Sequence, residues 1–150
     1  MADRITVTLH ELVAELDLYA DVWLRVRHGV SYNLFELLAA LAERQPIDIT
    51  RLAQCLGVTK AAVSKRIPAM VADGWITASP GGGRRVELGL TPRGAELVQK
   101  AGGELEREFT GILSDPRLDP ACTPGAVDPE AFHAHLRTLT RIILEKGLPS

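Results

Sequence analysis

The 150-residue sequence predicts a mainly α-helical fold with one small β-hairpin, on three observations. Residues 48–74 contain two short stretches of apolar residues at helical spacing, joined at a glycine, which predicts two helices and a tight turn. Residues 75–90 contain two β-rich runs that flank the tip sequence Pro-Gly-Gly-Gly-Arg-Arg. Long apolar stripes with helical spacing occupy both ends of the chain. This order of elements predicts a winged helix-turn-helix with additional N- and C-terminal helices.

The first helix of the helix-turn-helix is predicted to begin at Ile49. Asp48 is the expected N-cap, because its carboxylate accepts backbone N–H groups that otherwise lack a partner. Gly57 is expected to end the helix in the left-handed conformation, and Val58 to pack back into the core. The inward face is predicted to consist of Leu52, Ala53 and Leu56.

The second helix is predicted to run from the N-cap Thr59 to about Asp73, where Gly74 ends it. Val63, Ile67, Met70 and Val71 form its inward face at a spacing of three and four. The small first turn suits entry into a DNA groove, and the outer cations and hydroxyls suit phosphates and base edges. An ordinary solvated helix face is the alternative. The candidate DNA-contacting residues are Thr59, Lys60, Ala61, Ser64, Lys65 and Arg66.

The wing is predicted as a hairpin of strands Trp75–Ser79 and Arg84–Leu90 around a flexible tip at 80–83. This arrangement places Arg84 and Arg85 at the hairpin end, where they could reach a minor groove or phosphates. An exposed turn without a ligand is the alternative. The position of these arginines, directly after a helix-turn-helix, favours duplex DNA as the partner.

The charge distribution agrees with one DNA-facing surface. The whole chain has a formal net charge of −2, which argues against a general nucleic-acid coat. Residues 48–100 contain eight Lys and Arg against four Asp and Glu, whereas residues 1–47 and 101–150 are each net −3. A basic centre between acidic flanks predicts that the central segment faces DNA.

Three stretches resemble the MarR family of winged-helix transcription regulators: LAQCLGVTKAAVSKRIPAMVADGWI (52–76), the wing, and LTPRGAEL (90–97). The resemblance implies a homodimeric repressor that binds pseudo-palindromic operators and is released by a small effector. In many members of the family the effector is an aromatic or phenolic ligand, and others respond to oxidants or metals. It implies that Thr59–Arg66 enter the major groove and that Arg84 is the wing arginine. Two features depart from the family pattern: Gly82 stands where an acidic residue usually precedes that arginine, and Pro68 lies inside the recognition helix.

The remaining chain predicts scaffold helices within one domain, 1–150, with 48–91 as the DNA-binding unit and 1–47 and 92–150 as dimerisation and scaffold segments. A first helix is predicted over roughly 8–27, with an apolar stripe of Leu9, Leu12, Val13, Leu16, Tyr19, Trp23 and Val26. Either Ser31 or Asn33 is expected to cap the next helix.

Two Pro-initiated helices are predicted towards the C-terminus. Thr91-Pro92 starts one that runs to about Leu113, and Asp128-Pro129 starts another after a Pro- and Gly-rich break. The predicted inward residues are Leu97, Val98, Ala101, Leu105, Phe109 and Ile112 in the first, and Phe132, Leu136, Leu139 and Ile143 in the second. The resemblance implies that the last helix packs on a partner subunit; folding back on its own chain is the alternative.

The sequence offers one effector candidate and one redox candidate. Trp23 and Tyr32 flank the junction of the first two helices, and the resemblance implies a pocket for a small aromatic effector there, although both aromatics could simply fill the core. Cys55 is expected to be a buried structural residue. Cys122 is expected to be more exposed, which leaves an oxidant-sensing regulator as an alternative function.

Other function classes find little support. The four histidines and two cysteines show no metal-ligand spacing, and the chain contains no GxSxG or phosphate-binding glycine loop, so we expect no metal, no cofactor and no enzyme. The N-terminus does not resemble a signal peptide, and we expect a cytoplasmic protein. The main alternative is a winged-helix module for protein–protein contacts without specific DNA binding.

Overall fold

Helices form most of the structure, a computed structural model that describes residues 4–118 and 127–147. In chain order the elements are α1 (Ile5–His28), α2 (Tyr32–Arg44), β1 (Ile47–Asp48), α3 (Ile49–Leu56), α4 (Lys60–Ala72), β2 (Ile76–Pro80), β3 (Val86–Leu90), α5 (Pro92–Ile112), a 3₁₀ turn (Pro116–Leu118) and α6 (Pro129–Lys146). The prediction of a mainly helical fold with a β-hairpin wing is confirmed.

The chain divides into two compact units after Gly103, a point that lies within α5. The first unit contains the helix-turn-helix and the wing, and the second contains the end of α5 together with α6. The prediction of one domain over the whole chain stays a prediction. In the described residues, no helix is both long enough and apolar enough to cross a membrane.

The helix starts follow the capping residues read from the sequence. The side chain of Asp48 accepts a hydrogen bond from the Arg51 backbone N–H at 2.8 Å, and Thr59 accepts one from Ala62 at 3.1 Å. Ser31, rather than Asn33, caps α2. Each cap satisfies a first-turn N–H that has no partner within its own helix, so the boundaries of α2, α3 and α4 are set locally.

The core of the first unit joins all its elements. Its largest fully buried side chains are Leu24, Leu37, Leu38, Leu41, Leu52, Val63, Ile76 and Leu88. Two predicted core residues are exposed instead: Val58 at 48% and Val71 at 42%. Val58 uses its backbone N–H to close the end of α3 on the Ala53 carbonyl, so it belongs to the turn. Val71 lies at the edge of the buried stripe of α4.

The prediction that Cys55 is buried is wrong, because the residue is an exposed free cysteine. The buried stripe of α3 is narrow: Leu52 and Ala53 are buried and Leu56 is half-buried. Cys55 lies outside this stripe. Cys122, the other redox candidate, lies outside the described residues.

The wing belongs to a three-stranded antiparallel sheet in the order β1-β3-β2. The short strand β1 was not predicted; it pairs Ile47 with Leu88. The first wing strand is shifted by one residue relative to the predicted one, and the second is two residues shorter, because the turn extends as far as Arg85. The Gly81 N–H donates to the Arg85 carbonyl at 2.9 Å, which places Arg85 and the residue before it in the turn.

Thr91 connects the wing to the start of α5. Its hydroxyl oxygen accepts a hydrogen bond from the Gly94 N–H at 3.1 Å and lies 2.6 Å from the Gly74 carbonyl oxygen, to which it can donate. Gly94 is buried, and a Cβ there would lie 2.3 Å from the Trp75 carbonyl oxygen. The helix start predicted at Thr91-Pro92 is thus confirmed, and a glycine is needed for the close crossing.

Arg93 fastens the same junction from the outside. Its guanidinium lies 4.0 Å from the centroid of the Trp75 ring and donates a hydrogen bond to the Asp73 carbonyl. Asp73 is the C-cap of α4, so the cation meets a carbonyl at the negative end of that helix. The stretch from Thr91 to Gly94 therefore holds the C-terminal end of α4 against α5.

The terminal helices leave apolar side chains uncovered. In α1 only Leu24 is buried, and Val26 of the predicted stripe is 80% exposed. In α6, which Asp128 caps as predicted, no residue is buried and Leu144 is 75% exposed. Ile112 of α5, predicted to be inward, is exposed as well. In the described residues 4–118 and 127–147, these apolar side chains of α1, α5 and α6 are exposed to solvent.

Candidate nucleic-acid interface

The first turns of α4 present a thin, polar surface. Thr59, Lys60, Ala61, Ser64 and Lys65 are all exposed. Buried residues on the other side of the helix, among them Val63 and Ile67, fix this face outward. The small side chains allow this surface to approach a groove of duplex DNA closely, and the long cations lie beside them.

A groove of about 500 Å³ separates the start of α3 from the wing. Among the described residues that line it, four are cations and one is a carboxylate, Asp48, which caps α3. The positive charge therefore exceeds the negative in one concave surface, which attracts a polyanion. The lining residues are Asp48, Ile49, Thr50, Arg51, Gln54, Lys60, Arg84, Arg85 and Val86.

Arg51 also lines this groove, although no sequence motif marks it as a candidate for DNA contact. The pairing of Asp48 with Glu87 explains its position, because it places the start of α3 beside the start of β3. Sequence spacing gives no warning of this, since β1 is only two residues long. The exposed residues Thr50 and Gln54 reach the groove by the same route.

The cations of the groove are not neutralised by neighbours. Within the part of the chain that the structure describes, the side chains of Arg51, Lys60, Arg84 and Arg85 make no ion pair and no hydrogen bond. The same holds for Lys65 on the outer face of α4 within residues 4–118 and 127–147. Their charges are thus available to an external ligand.

Arg66 differs from the other predicted contact residues. It is half-buried, and its Nη2 donates a hydrogen bond to the backbone carbonyl of Asn33 at 3.2 Å. Burial lowers the pKa of Arg66, while the carboxylate of Glu36 raises it. Part of its hydrogen-bonding capacity is therefore used inside the protein.

The tip of the wing is built from glycines that other residues could not easily replace. Gly82 and Gly83 have φ values of 92° and 62°. The Arg85 N–H donates to the Gly82 carbonyl at 3.2 Å and closes the turn. Among the described residues no carboxylate pairs with Arg84, which agrees with the absence of an acid at position 82.

The two aromatic residues of the predicted effector site occupy different environments. Trp23 is half-buried on α1; Arg27 lies 5.1 Å above its ring and the ring of His28 is 5.5 Å away. A shallow apolar groove of about 240 Å³ adjoins it, and Tyr32 is not part of the lining. The lining residues are Tyr19, Val22, Trp23, Val26 and Arg27.

Tyr32 is the first residue of α2 and is half-buried. Burial, with the charges of Asp17 and Glu36 and a hydrogen bond to Asp17, raises the pKa of its phenol to about 12. Its backbone N–H donates to Asp21 at 2.8 Å. The structure therefore places Tyr32 in a polar contact between α1 and α2 rather than in the groove beside Trp23.

The described residues contain no candidate metal site. In residues 4–118 and 127–147, no three His, Cys, Asp or Glu side chains are close enough together to hold an ion.

Comparison with known proteins agrees with the geometry. Residues 28–85 match the sequence model of the MarR family, a segment that runs from the end of α1 to the wing arginines. A search of curated proteins finds no match.

Many solved structures share the fold. A MarR/EmrR family transcriptional regulator from Acinetobacter sp. ADP1 is 19% identical, with a TM-score of 0.72 over 94% of this chain and 92% of that one. MepR from Staphylococcus aureus, solved as a DNA complex, is 16% identical, with a TM-score of 0.71 over 95% and 98%. FabT from Streptococcus pneumoniae, also solved with DNA, is 18% identical, with a TM-score of 0.66 over 95% and 96%. The fold of the chain is thus the MarR winged-helix fold.

Proposed function

We propose that this chain, whose residues 28–85 are a MarR family winged-helix segment, is a homodimeric transcription regulator that binds specific sites on duplex DNA. The observation that carries the proposal is the basic groove between α3 and the wing, next to the exposed first turns of α4. A repressor role and release by a small effector complete the proposal, and they rest on the family resemblance.

The recognition helix α4 is proposed to read the major groove. The candidates for base and phosphate contacts are Thr59, Lys60, Ala61, Ser64 and Lys65, which share its exposed face. Hydroxyl and ammonium groups bond to base edges and phosphates, and the alanine methyl can contact a thymine methyl. Arg66, the sixth residue predicted to contact DNA, is half-buried and bonded to the Asn33 carbonyl.

The DNA backbone is proposed to cross the basic groove. Arg51, Lys60, Arg84 and Arg85 all line the same concave space. A phosphate chain that passes from the recognition helix to the wing would meet all four cations. Arg84 would then continue into the adjacent minor groove, whose negative potential attracts arginine.

The homodimer is proposed to form on the terminal helices. The uncovered residues of α1 include Val13, Leu18 and Val26, and those of α6 include Leu139 and Ile143. Contiguous exposed apolar surfaces are typical of interaction sites and are rare on monomers. A second copy of the same chain satisfies them with matching surfaces on both subunits, as a two-fold axis requires.

The effector is proposed to be a small aromatic molecule that binds at the groove beside Trp23. The groove is apolar, Arg27 offers a cation at its edge, and its volume of about 240 Å³ fits a single-ring compound. In a dimer a partner chain would deepen this shallow surface. Such a ligand releases DNA only if it prefers the conformation that binds DNA poorly.

Selection from random-sequence duplex DNA tests the main proposal. We expect an enriched pseudo-palindrome whose half-sites lie one helical turn apart, roughly 34–36 Å. Binding to it should weaken steeply as salt rises, because phosphate contacts release counterions. No enriched sequence and no salt-dependent binding would instead support the protein–protein module.

A further inference from the structure

The first turn of α2 is held from two sides by side chains of other helices. From α1, the Oδ1 atom of Asp21 accepts a hydrogen bond from the Tyr32 N–H at 2.8 Å. From α4, the Nη2 atom of Arg66 donates one to the carbonyl of Asn33 at 3.2 Å. Tyr32 and Asn33 are neighbours in the chain, so α1 and the recognition helix both attach to one turn.

The attachment on the α1 side is itself fixed. Arg25, one turn further along α1, bonds to the second oxygen of Asp21 with an Nε–Oδ2 distance of 2.6 Å. This hydrogen bond and the one from Tyr32 lower the pKa of Asp21. Asp17, one turn before Asp21, also faces the Tyr32 phenol, and its charge raises the pKa of that group. Two successive turns of α1 therefore face the same residue of α2.

On the α4 side the attachment is made by Arg66, a cation that the sequence pattern predicts to contact DNA. Lys65, its neighbour, is exposed and makes no ion pair or side-chain hydrogen bond with any residue in the described ranges 4–118 and 127–147. Arg66 instead is half-buried. It bonds to Asn33 at the start of α2, which is 33 residues earlier in the chain, and it lies near the Glu36 carboxylate. A guanidinium fixed in this way orients the helix that carries it, because its planar donors are directional.

We propose that Arg66 is a positioning residue: it fixes the recognition helix α4 to the first turn of α2, and through Asp21 to α1, rather than contacting phosphate. This inference rests on the proposed DNA binding and assigns the path by which a change at α1 reaches the DNA-reading face. α1 also carries the groove beside Trp23, so an effector there would act on the same turn.

Salt titration separates positioning from phosphate contact. The probe is the duplex enriched by the wild-type protein, with a scrambled duplex of equal length. Lys65→Ala should reduce the slope of log affinity against log salt by about 2 per dimer, one unit per protomer, on both duplexes. Arg66→Ala should weaken binding to the enriched duplex about tenfold, the order expected for a lost charged hydrogen bond, with the slope and the scrambled-duplex affinity unchanged.

A double-variant comparison tests the path itself. Asp21→Ala should also weaken specific binding, and Asp21→Ala with Arg66→Ala should lose little more than the larger single loss, because both act on one turn. The control pair, Asp21→Ala with Lys65→Ala, should lose the product of the two single effects. Thermal melting of each variant confirms that it is folded at the assay temperature.

The outcomes are distinct. A reduced salt slope in Arg66→Ala, or an unchanged affinity for the enriched duplex, would overturn the positioning role. Multiplicative losses in Asp21→Ala with Arg66→Ala would overturn the path to α1. Failure of the wild-type protein to enrich any duplex would reject the proposed function instead. In that case, amide hydrogen exchange of the free protein tests the attachment: Arg66→Ala must speed exchange in the first turn of α2 and in α4, whereas Lys65→Ala must not.

Discussion

At the residue scale, Gly94 is a position where the backbone of two elements leaves no room for a side chain. A Cβ at this position would lie 2.3 Å from the Trp75 carbonyl oxygen, far inside van der Waals contact. Because the obstacle is main chain, α5 or the wing must shift to admit even one methyl group. The glycine in the stretch 90–97 therefore has a packing function at the end of the wing.

We predict that Gly94→Ala lowers the free energy of unfolding by about 2 kcal/mol, in the range of overpacked cores. The matched control is Gly102→Ala in the same helix, where the nearest atom, in Phe35, would be 3.6 Å from the new Cβ. That change should stabilise by up to about 1 kcal/mol, since alanine is the better helix former. Urea denaturation of both variants measures the difference, and equal stabilities would contradict the close crossing.

The phenol of Tyr32 makes the stability of the protein depend on pH. Its pKa is raised to about 12 from 10.0, mainly by burial. A raised pKa means that the unfolded chain loses the phenolic proton first, so the stabilising contribution is present below pH 10 and is lost between about pH 10 and 12.

We therefore predict that wild-type protein exceeds Tyr32→Phe in stability at pH 8, through the hydrogen bond to Asp17. The difference should shrink as pH rises from 10 towards 12. Urea denaturation in this pH series, always as a difference between the two proteins, removes the contribution of other titrating groups. A difference that is constant up to pH 12 would show that the phenol is not held in its neutral form.

At the scale of elements, Pro68 interrupts the hydrogen bonding of α4, the proposed recognition helix. It lies inside α4 and has no N–H, so the carbonyl of Ser64 lacks its usual partner, and the ring crowds that carbonyl. We predict a bend near Ser64. It would keep the first turns of α4 straight for entry into the DNA major groove, while the last turns pack on the core. Residual dipolar couplings of the free protein would measure it, with Pro68→Ala as the straight-helix control. Equal helix directions in the two proteins would contradict the bend.

The wing is the second element, and its contribution to DNA binding can be measured. Arg84 extends from a glycine turn and has no carboxylate partner among the described residues. We predict that Arg84→Ala weakens binding most for enriched duplexes with A·T-rich flanks, because their narrow minor groove attracts arginine. Fluorescence anisotropy on A·T- and G·C-flanked duplexes, with Arg85→Ala for comparison, measures this preference. An equal loss on both flanks would assign Arg84 to phosphate alone.

At the scale of the whole molecule, the exposed apolar faces predict assembly. α1 and α6 each carry uncovered large hydrophobic residues, and α6 has no buried residue at all. A face of this kind is an aggregation risk in water unless another surface covers it.

We predict that deletion of residues 129–150 gives a monomeric or insoluble protein that binds DNA poorly, because a single half-site is a weak target. Analytical ultracentrifugation and DNA binding measure both properties. The substitution Val26→Glu, at a residue that is 80% exposed in the single chain, tests α1 separately. A truncated chain that stays dimeric and keeps its affinity would place the interface elsewhere.

The sequence alone determined the elements whose cause is local. Asp48, Thr59 and Asp128 cap their helices as predicted, because the capping bond joins residues only two or three positions apart. The helix α4, the wing and the helix start at Pro92 followed from similar short-range signals. Each of these signals depends on neighbours in the chain, so the order of residues is sufficient to read it.

Tertiary structure alone decided the features that depend on distant pairing. The two-residue strand β1 brings Arg51 to the wing, and no local pattern announces a strand of that length. The hydrogen bond of Arg66 is made with Asn33, 33 residues earlier in the chain. Val58 and Cys55 were assigned to the core because they are apolar. Val58 is exposed because it lies in the turn after α3, and Cys55 is exposed because it lies on the side of α3 that the rest of the chain does not cover. The type of a residue determines whether its side chain favours water or an apolar environment, whereas tertiary packing determines which side chains find a partner.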